Sequence, residues 1–251
     1  MQLPIIAASR IYPCEKCPIR TLAIFRQFSE DELKFVSHFK AGELHIDAGA
    51  TILREQTSST HLYTVLSGWA FRYKMLPDGR RQILNFALPG DFLGLQASVF
   101  DEMSHSVEAL TDVVLCVFPR DRLWDLFQNH AGLGFDISWL AAREESILDQ
   151  NLLSVGRRSA IERTGYLLLH LFARARELGI GTRRGFSPPI TQQHVADTLG
   201  MSLVHTNKTL KRLAERKLVV WKKKLIEFPD VAGLQALANW EETSGQVRPL
   251  I

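Results

Sequence analysis

The stretch "TQQHVADTLGMSLVHTNKTLKRLAERK", residues 191–217, holds two short apolar stripes separated by a glycine. Thr191 is placed to cap a helix in which Val195 and Leu199 lie four apart and share a face, with Ala196 small enough to let another helix approach. Gly200 ends that helix. Ser202 caps a second one, in which Leu203, Thr206, Leu210 and Leu213 recur at intervals of three and four and are expected to turn inward together. The spacing predicts a helix-turn-helix.

The opposite side of the second helix carries Val204, Asn207, Lys208, Lys211 and, at its edge, Arg212. These residue types suit the major groove of B-DNA, where lysine reaches guanine acceptors, asparagine pairs with adenine and an apolar side chain meets a thymine methyl. Thr191, Gln192, Ser202 and His205, at the starts of the two helices, are counted with this DNA-facing set. The following "LVVWKKKLIEF" reads as two short strands around Lys222, Lys223 and Lys224, a hairpin wing whose charges are expected near phosphates. The competing reading is a helical pair with solvated lysines. Caps, glycine turn, polar face and basic hairpin agree with one another, and double-stranded DNA is the expected partner.

Upstream, "ELHIDAGATILREQ", "HLYTVLSGWAFRYKML", "RQILNFALPGDFLGL" and "VEALTDVVLCVFP" read as strands, with Asp78-Gly79 a strong hairpin turn. Gly49, Gly68, Gly79, Gly90 and Gly94 punctuate this region, which predicts a small antiparallel barrel or sandwich. From about Leu123 the period changes to helical. "LGFDISWLAAREESILDQNLLSV" sets Ile137, Leu140, Ile147 and Asn151 near a heptad seam that Glu144 interrupts. A seam with one asparagine resembles a parallel dimer contact, and dimerisation is preferred here over an amphipathic helix packed on its own barrel. Gly156-Arg157-Arg158 marks a boundary, after which Leu167, Leu168, Leu171 and Phe172 form a core face. The expected organisation is α+β: a tail over 1–20, a β-roll over 21–125, a dimerisation helix over 126–156 and a winged helix-turn-helix over 157–251.

Charge divides the same way. Residues 1–156 hold 14 Lys and Arg against 19 Asp and Glu, and residues 157–251 hold 16 against 8. An acidic module is followed by a basic one suited to a polyanion. Apolar runs fall short of the roughly 18 residues a membrane span needs, and the opening "MQLPIIAASR" lacks a signal peptide's apolar region. The expected location is the cytoplasm.

In this order, the glycine-punctuated roll, long helix and winged helix-turn-helix resemble the Crp/Fnr family of bacterial transcription regulators over nearly the whole chain. The strongest carriers are "LSGWAFRYKMLPDGRRQILNFALPGDFLGL" and "ITQQHVADTLGMSLVHTNKTLKRL". The resemblance implies a homodimer that binds a two-fold symmetric promoter site and contacts RNA polymerase.

Departures from the family pattern matter as much. Members that bind cyclic nucleotides hold the ribose with a glutamate after "PGDFxG" and the phosphate with an arginine several residues on. Here Leu95 takes the acidic position and "QASVFDEMSHSVEA" has no arginine. A desolvated phosphate without a charge-assisted partner is costly, so cyclic AMP is not expected, although a different small-molecule effector could fill the roll. Fnr-like oxygen sensors hold a cluster with three cysteines near the N-terminus and a fourth at a position like Cys116. This chain has Cys14, Cys17 and Cys116, and Ala23 stands about where the third N-terminal cysteine falls. Three thiols leave a four-thiolate cluster one ligand short. Structural cysteines or a redox thiol pair are preferred over a metal site, and no cofactor is expected. The reader departs too, with Val204, Asn207 and Lys208 where relatives carry Glu, Ser and Arg, so a different half-site is expected.

The rival from another class is an enzyme or ligand-binding protein built on the roll, such as a cupin-like metal oxygenase. Such sites take two histidines two apart on one strand, and none of the eight histidines has that spacing. No nucleophile, base and orienter constellation is legible, so catalysis is not expected. An iron–sulfur, redox-thiol or heme-sensing variant of the same regulator stays open, since a roll or tail histidine could serve as an axial ligand.

Overall fold

The computed structural model describes residues 12–241 and 247–251. Most of the expected N-terminal tail, residues 1–11, lies outside them. After a single 3-10 turn at Cys14–Lys16, α1 (Glu30–Phe39) opens on a capping box, in which the Ser29 hydroxyl accepts from Glu32 N and the Glu32 carboxylate from Ser29 N.

Eight strands follow: β1 (Gly42–Ile46), β2 (Thr51–Leu53), β3 (His61–Ser67), β4 (Ala70–Met75), β5 (Arg81–Ala87), β6 (Phe92–Leu93), β7 (Ser106–Ala109) and β8 (Val113–Pro119), with α2 (Leu95–Phe100) between β6 and β7. They form two antiparallel sheets, ordered β1-β8-β3-β6 and β2-β7-β4-β5. One core cluster gathers Leu44, Ile52, Val65, Val107 and Leu115 inside the roll. A second joins Phe39, Leu62, Phe118, Leu126 and Leu133 outside it. The "PGD" turn shows why glycine is needed at position 90. Its φ is +87°, and a Cβ there would stand 2.3 Å from the Phe25 ring.

The helical region begins as two elements. α3 (Leu123–Asn129) ends at His130, whose φ of −137° leaves the helical region, and α4 runs from Ala131–Arg157. The expected dimer stripe on α4 is turned to its own chain. Ile137, Leu140 and Ile147 are buried, the Glu144 carboxylate pairs with Arg72, and the Asn151 amide donates to Leu84 O at 2.7 Å. The packed-helix reading of those five residues is the one realised. The outward side of α4 carries Phe135, Leu148, Leu152 and Val155 instead.

After α4 come α5 (Ala160–Glu177), β9 (Gly185–Phe186), α6 (Gln192–Leu199), α7 (Leu203–Glu215), β10 (Val220–Lys222), β11 (Leu225–Glu227) and α8 (Val231–Ala238). The described residues form two compact units. One comprises the chain up to Tyr73, Phe86–Glu145 and the last residues from Val247; the other comprises Lys74–Asn85 and the segment from Ser146 onward. The dividing point on the helix therefore falls within α4, earlier than the Gly156 break, and the β4–β5 hairpin tip groups with the second unit.

Candidate nucleic-acid interface

The helix pair is built as its spacing requires. The Thr191 hydroxyl accepts from His194 N, and His194 Nδ1 accepts from Thr191 N at 3.0 Å, a capping box with histidine in place of the usual acid or amide. Val195, Ala196 and Leu199 are buried, and Gly200 closes α6 in the left-handed region at φ 61°. Ser202 caps α7 through His205 N. Thr206, Leu210 and Leu213 are buried as expected, joined by Thr209. Leu203 is not inward: it stands exposed in the first turn, where α7 has not yet reached the core.

The opposite face is open. Ser202, Val204, His205, Asn207, Lys208, Lys211 and Arg212 are all exposed, Val204 to 63%. A single exposed valine is ordinary on a protein surface, and on this face it is placed where an apolar side chain can meet a thymine methyl. Thr191 is exposed and Gln192 half-buried at the start of α6.

The wing is a three-stranded sheet ordered β10-β11-β9, one strand larger than the sequence reading. Ile226 pairs with both Trp221 and Phe186. Phe172, Phe186 and Phe228 cluster beneath it at centroid distances of 4.7 to 6.1 Å. Lys222, Lys223 and Lys224 are exposed at the tip, and the Trp221 indole N–H donates to Lys223 O at 3.1 Å. Asn207, Lys208, Lys211 and Arg212 on α7 and the three wing lysines thus face solvent, and the acidic residues of these elements, Glu215 and Glu227, stand at the last positions of α7 and β11.

Two further residues, missed in the sequence, fix α6 from the β4–β5 hairpin. Arg81 Nε and Nη2 each reach the Asp197 carboxylate at 2.9 Å, and the Gln82 amide donates to Thr198 O at 2.8 Å. On a polar hairpin "RRQ" reads as solvated charge, so no sequence signal distinguishes it. Burial together with Arg81 holds the His194 pKa below its ordinary value, opposed by Asp197. The ring stays neutral and able to accept the capping bond.

In the roll, Leu95 packs against the second core cluster, and the Asp91 carboxylate is occupied. It accepts from Leu88 N at 2.8 Å, from Arg248 Nη2 at 3.0 Å and from Arg143 Nη1 at 3.4 Å. Cys14, Cys17 and Cys116 do come together. They line a cavity of about 20 Å³, room for one water molecule, which Arg20 and Lys40 also line. Three thiols beside two cations in that space do not fit a four-thiolate iron–sulfur cluster. Among the described residues no group of three or more His, Cys, Asp or Glu side chains is placed to hold a metal ion. No described helix is long and apolar enough to cross a membrane.

Residues 43–130 match the family model of the cyclic nucleotide-binding domain, and residues 162–237 that of the Crp-like helix-turn-helix domain. The chain is 34% identical over 226 residues to the nitrogen fixation regulation protein FixK of Bradyrhizobium diazoefficiens, covering 90% of this chain and 93% of that one. It is 31% identical over 214 residues to the transcriptional activatory protein AadR of Rhodopseudomonas palustris, covering 83% and 86%. The solved structure of FixK2 from Bradyrhizobium japonicum shares the fold, with a TM-score of 0.70 at 24% identity over 80% of this chain and 98% of that one. These relatives are named as regulators and activators rather than enzymes. With a roll, a long helix and a capped helix pair whose basic face is open, this DNA-binding chain belongs to the Crp/Fnr family of transcription regulators.

Proposed function

We propose that the protein acts as a homodimer on an inverted-repeat promoter site, reading bases with Val204, Asn207 and Lys208 and clamping phosphates with the wing lysines. The observation that carries this reading is the exposed face of α7, where those side chains project from a helix whose other side is buried under α5 and α6. Lys211, Arg212 and the N-terminal groups Thr191, Gln192, Ser202 and His205 flank the reading set and serve the backbone.

The dimer contact belongs to the outward stripe of α4. Ser138, Ala141, Glu145, Leu148, Leu152 and Val155 are spaced alternately three and four apart and all are exposed, Leu152 to 73%. That is the repeat of a two-helix seam, and it stands exposed among the described residues. Two reader helices related by a two-fold axis place half-sites about one turn, roughly 34 Å, apart. Contact with RNA polymerase and a cytoplasmic location follow from the role of a promoter-bound activator or repressor.

The regulator works without a resident cofactor and without cyclic AMP. Leu95 is spent on packing, and the interior of the roll is filled by its own apolar side chains. Selection of bound fragments from random duplexes with the purified protein tests the whole reading. The expected product is a two-fold symmetric sequence, and enrichment of a single unrepeated site, or of none, overturns it. Calorimetry with cyclic AMP is expected to show no heat of binding at micromolar nucleotide.

A further inference from the structure

Cys116 lies far from Cys14 and Cys17 in sequence, yet the three line one cavity, and their surroundings differ. Cys14 and Cys116 are buried; burial pushes the Cys116 thiol up to about 12 and raises that of Cys14 as well. Neither is therefore the thiol expected to meet an oxidant first. Cys17 is half-buried, the least buried of the three.

Arg20 supplies an unmet demand for negative charge at the same place. It lies over the Phe28 ring at 4.1 Å, and its Nε and Nη1 are buried without a hydrogen-bond partner among the described residues. Burial pulls its pKa down, and of the groups that hold it up Cys17 comes first. Lys40 is already engaged, donating to Tyr12 O at 2.9 Å and to Glu43 Oε1 at 2.6 Å. A desolvated guanidinium with N–H donors to spare offers charge-assisted hydrogen bonds to an oxyanion formed beside it, such as a sulfenate.

A second thiol stands within reach. Cys14 opens the 3-10 turn and Cys17 follows it, with Cys17 N donating to Cys14 O at 3.4 Å. Closure of such a turn keeps the two Cα atoms within about 7 Å, near the span a disulfide bridges.

We propose that Cys17 is a hydroperoxide-reactive thiol and that its oxidation is resolved by Cys14 into a reversible disulfide. In the first step the Cys17 thiolate attacks the terminal oxygen of a hydroperoxide and the O–O bond breaks. The departing alkoxide takes up the proton that Cys17 released and leaves as an alcohol, or as water from hydrogen peroxide. Cys17 is now a sulfenic acid, and the peroxide has been reduced by two electrons. In the second step the sulfur of Cys14 attacks that of Cys17, the S–O bond breaks, and hydroxide leaves with the Cys14 proton as water. Two thiols and one hydroperoxide thus yield one disulfide, one alcohol and one water. Cys116 stays reduced. The inference is independent of the DNA reading.

The test treats reduced, chelator-washed full-length protein with stoichiometric hydrogen peroxide and maps the thiols by differential alkylation and peptide mass spectrometry. The expected products are a Cys14–Cys17 linked peptide that dithiothreitol reverses and an unmodified Cys116. Cys14→Ser leaves a sulfenic acid on Cys17 that dimedone captures. Folded protein is expected to react at Cys17 at least about tenfold faster than the chain in urea, and Arg20→Gln to lose most of that gain while Arg20→Lys recovers part of it. Equal rates in folded and unfolded chain, or oxidation of Cys116 before Cys17, overturn the proposal. So does a wild-type rate in a folded Arg20→Gln variant; if that variant does not fold, the comparison with urea decides alone.

Discussion

Replacing Lys224 by glutamine removes one charge from the wing tip and leaves in place Lys223, which makes the turn at a φ of 55°. In a dimer the change removes two phosphate contacts. Each contact contributes about 0.9 to the slope of log K against log salt, so the slope is expected to fall by roughly 1.8. Between 50 and 200 mM salt, a fourfold change, the variant's deficit then shrinks by about 12-fold, and it does so on specific and scrambled duplexes alike. Asn207→Ala is the contrasting perturbation. Alanine favours the exposed helix position, and the lost base contact is expected to cost about 1 to 3 kcal/mol per half-site on the selected duplex. Little is lost on the scrambled one, and the salt slope is retained. Fluorescence anisotropy titrations of both variants on both duplexes separate the two roles. If the Asn207 variant weakens equally on both duplexes while the Lys224 variant loses discrimination, the assignment of reader and clamp is refuted.

Leu152→Glu is expected to convert the dimer to a monomer in sedimentation at micromolar protein with helix content unchanged by circular dichroism; an intact dimer would place the seam elsewhere. Arg248→Ala removes a fully buried guanidinium from Asp91 and from the Phe25 ring 4.8 Å away. A broken buried pair costs about 3 to 5 kcal/mol, and the remaining Arg143 contact places the loss near the lower end, read as a denaturant midpoint shift. Because the folded His194 pKa lies below its unfolded value, the unfolded chain takes up the proton first as pH falls. The capping contribution is therefore present above about pH 6.5 and lost below it. His194→Gln keeps an acceptor at the same capping position and is expected to flatten that dependence in melts between pH 5 and 8; an unchanged slope assigns it to another group.

The reader was legible because its signals are local. A cap, a glycine and a stripe of threes and fours depend on side chains within one or two turns of each other, and α6 and α7 form where those signals stand. The wing lysines were legible for the same reason, since Lys222 to Lys224 adjoin a two-strand pattern; the third strand, Gly185–Phe186, is two residues long and comes from far upstream. The α1 helix, with its capping box at Ser29 and Glu32, falls inside the stretch read only as β-roll and was not anticipated. The other features that escaped depend on long-range closure. Arg81 finds Asp197, Arg248 finds Asp91, and Cys116 joins Cys14 and Cys17 only when the sheets have formed. No spacing along the chain encodes such meetings.

The long helix shows where a local signal runs out. On α4, Ile137, Leu140, Glu144, Ile147 and Asn151 recur at intervals of three and four, and so do Ser138, Ala141, Glu145, Leu148, Leu152 and Val155, one residue on. Two such stripes lie about 100° apart on a helix of 3.6 residues per turn. A helix packed on its own domain and also on a partner needs both, and periodicity alone does not say which faces which. Residue chemistry does discriminate once the surroundings are known. Glu144 and Asn151 find Arg72 and the Leu84 carbonyl within the chain, so the asparagine that resembled the polar residue of a dimer seam, and the glutamate that interrupted it, both satisfy intrachain partners. The stripe left over contains Leu148, Leu152 and Val155 and exposes all three. Substituting Ile147 by glutamate is therefore expected to damage the folding of the protomer itself, whereas the same change at Leu152 should spare it and act on association alone.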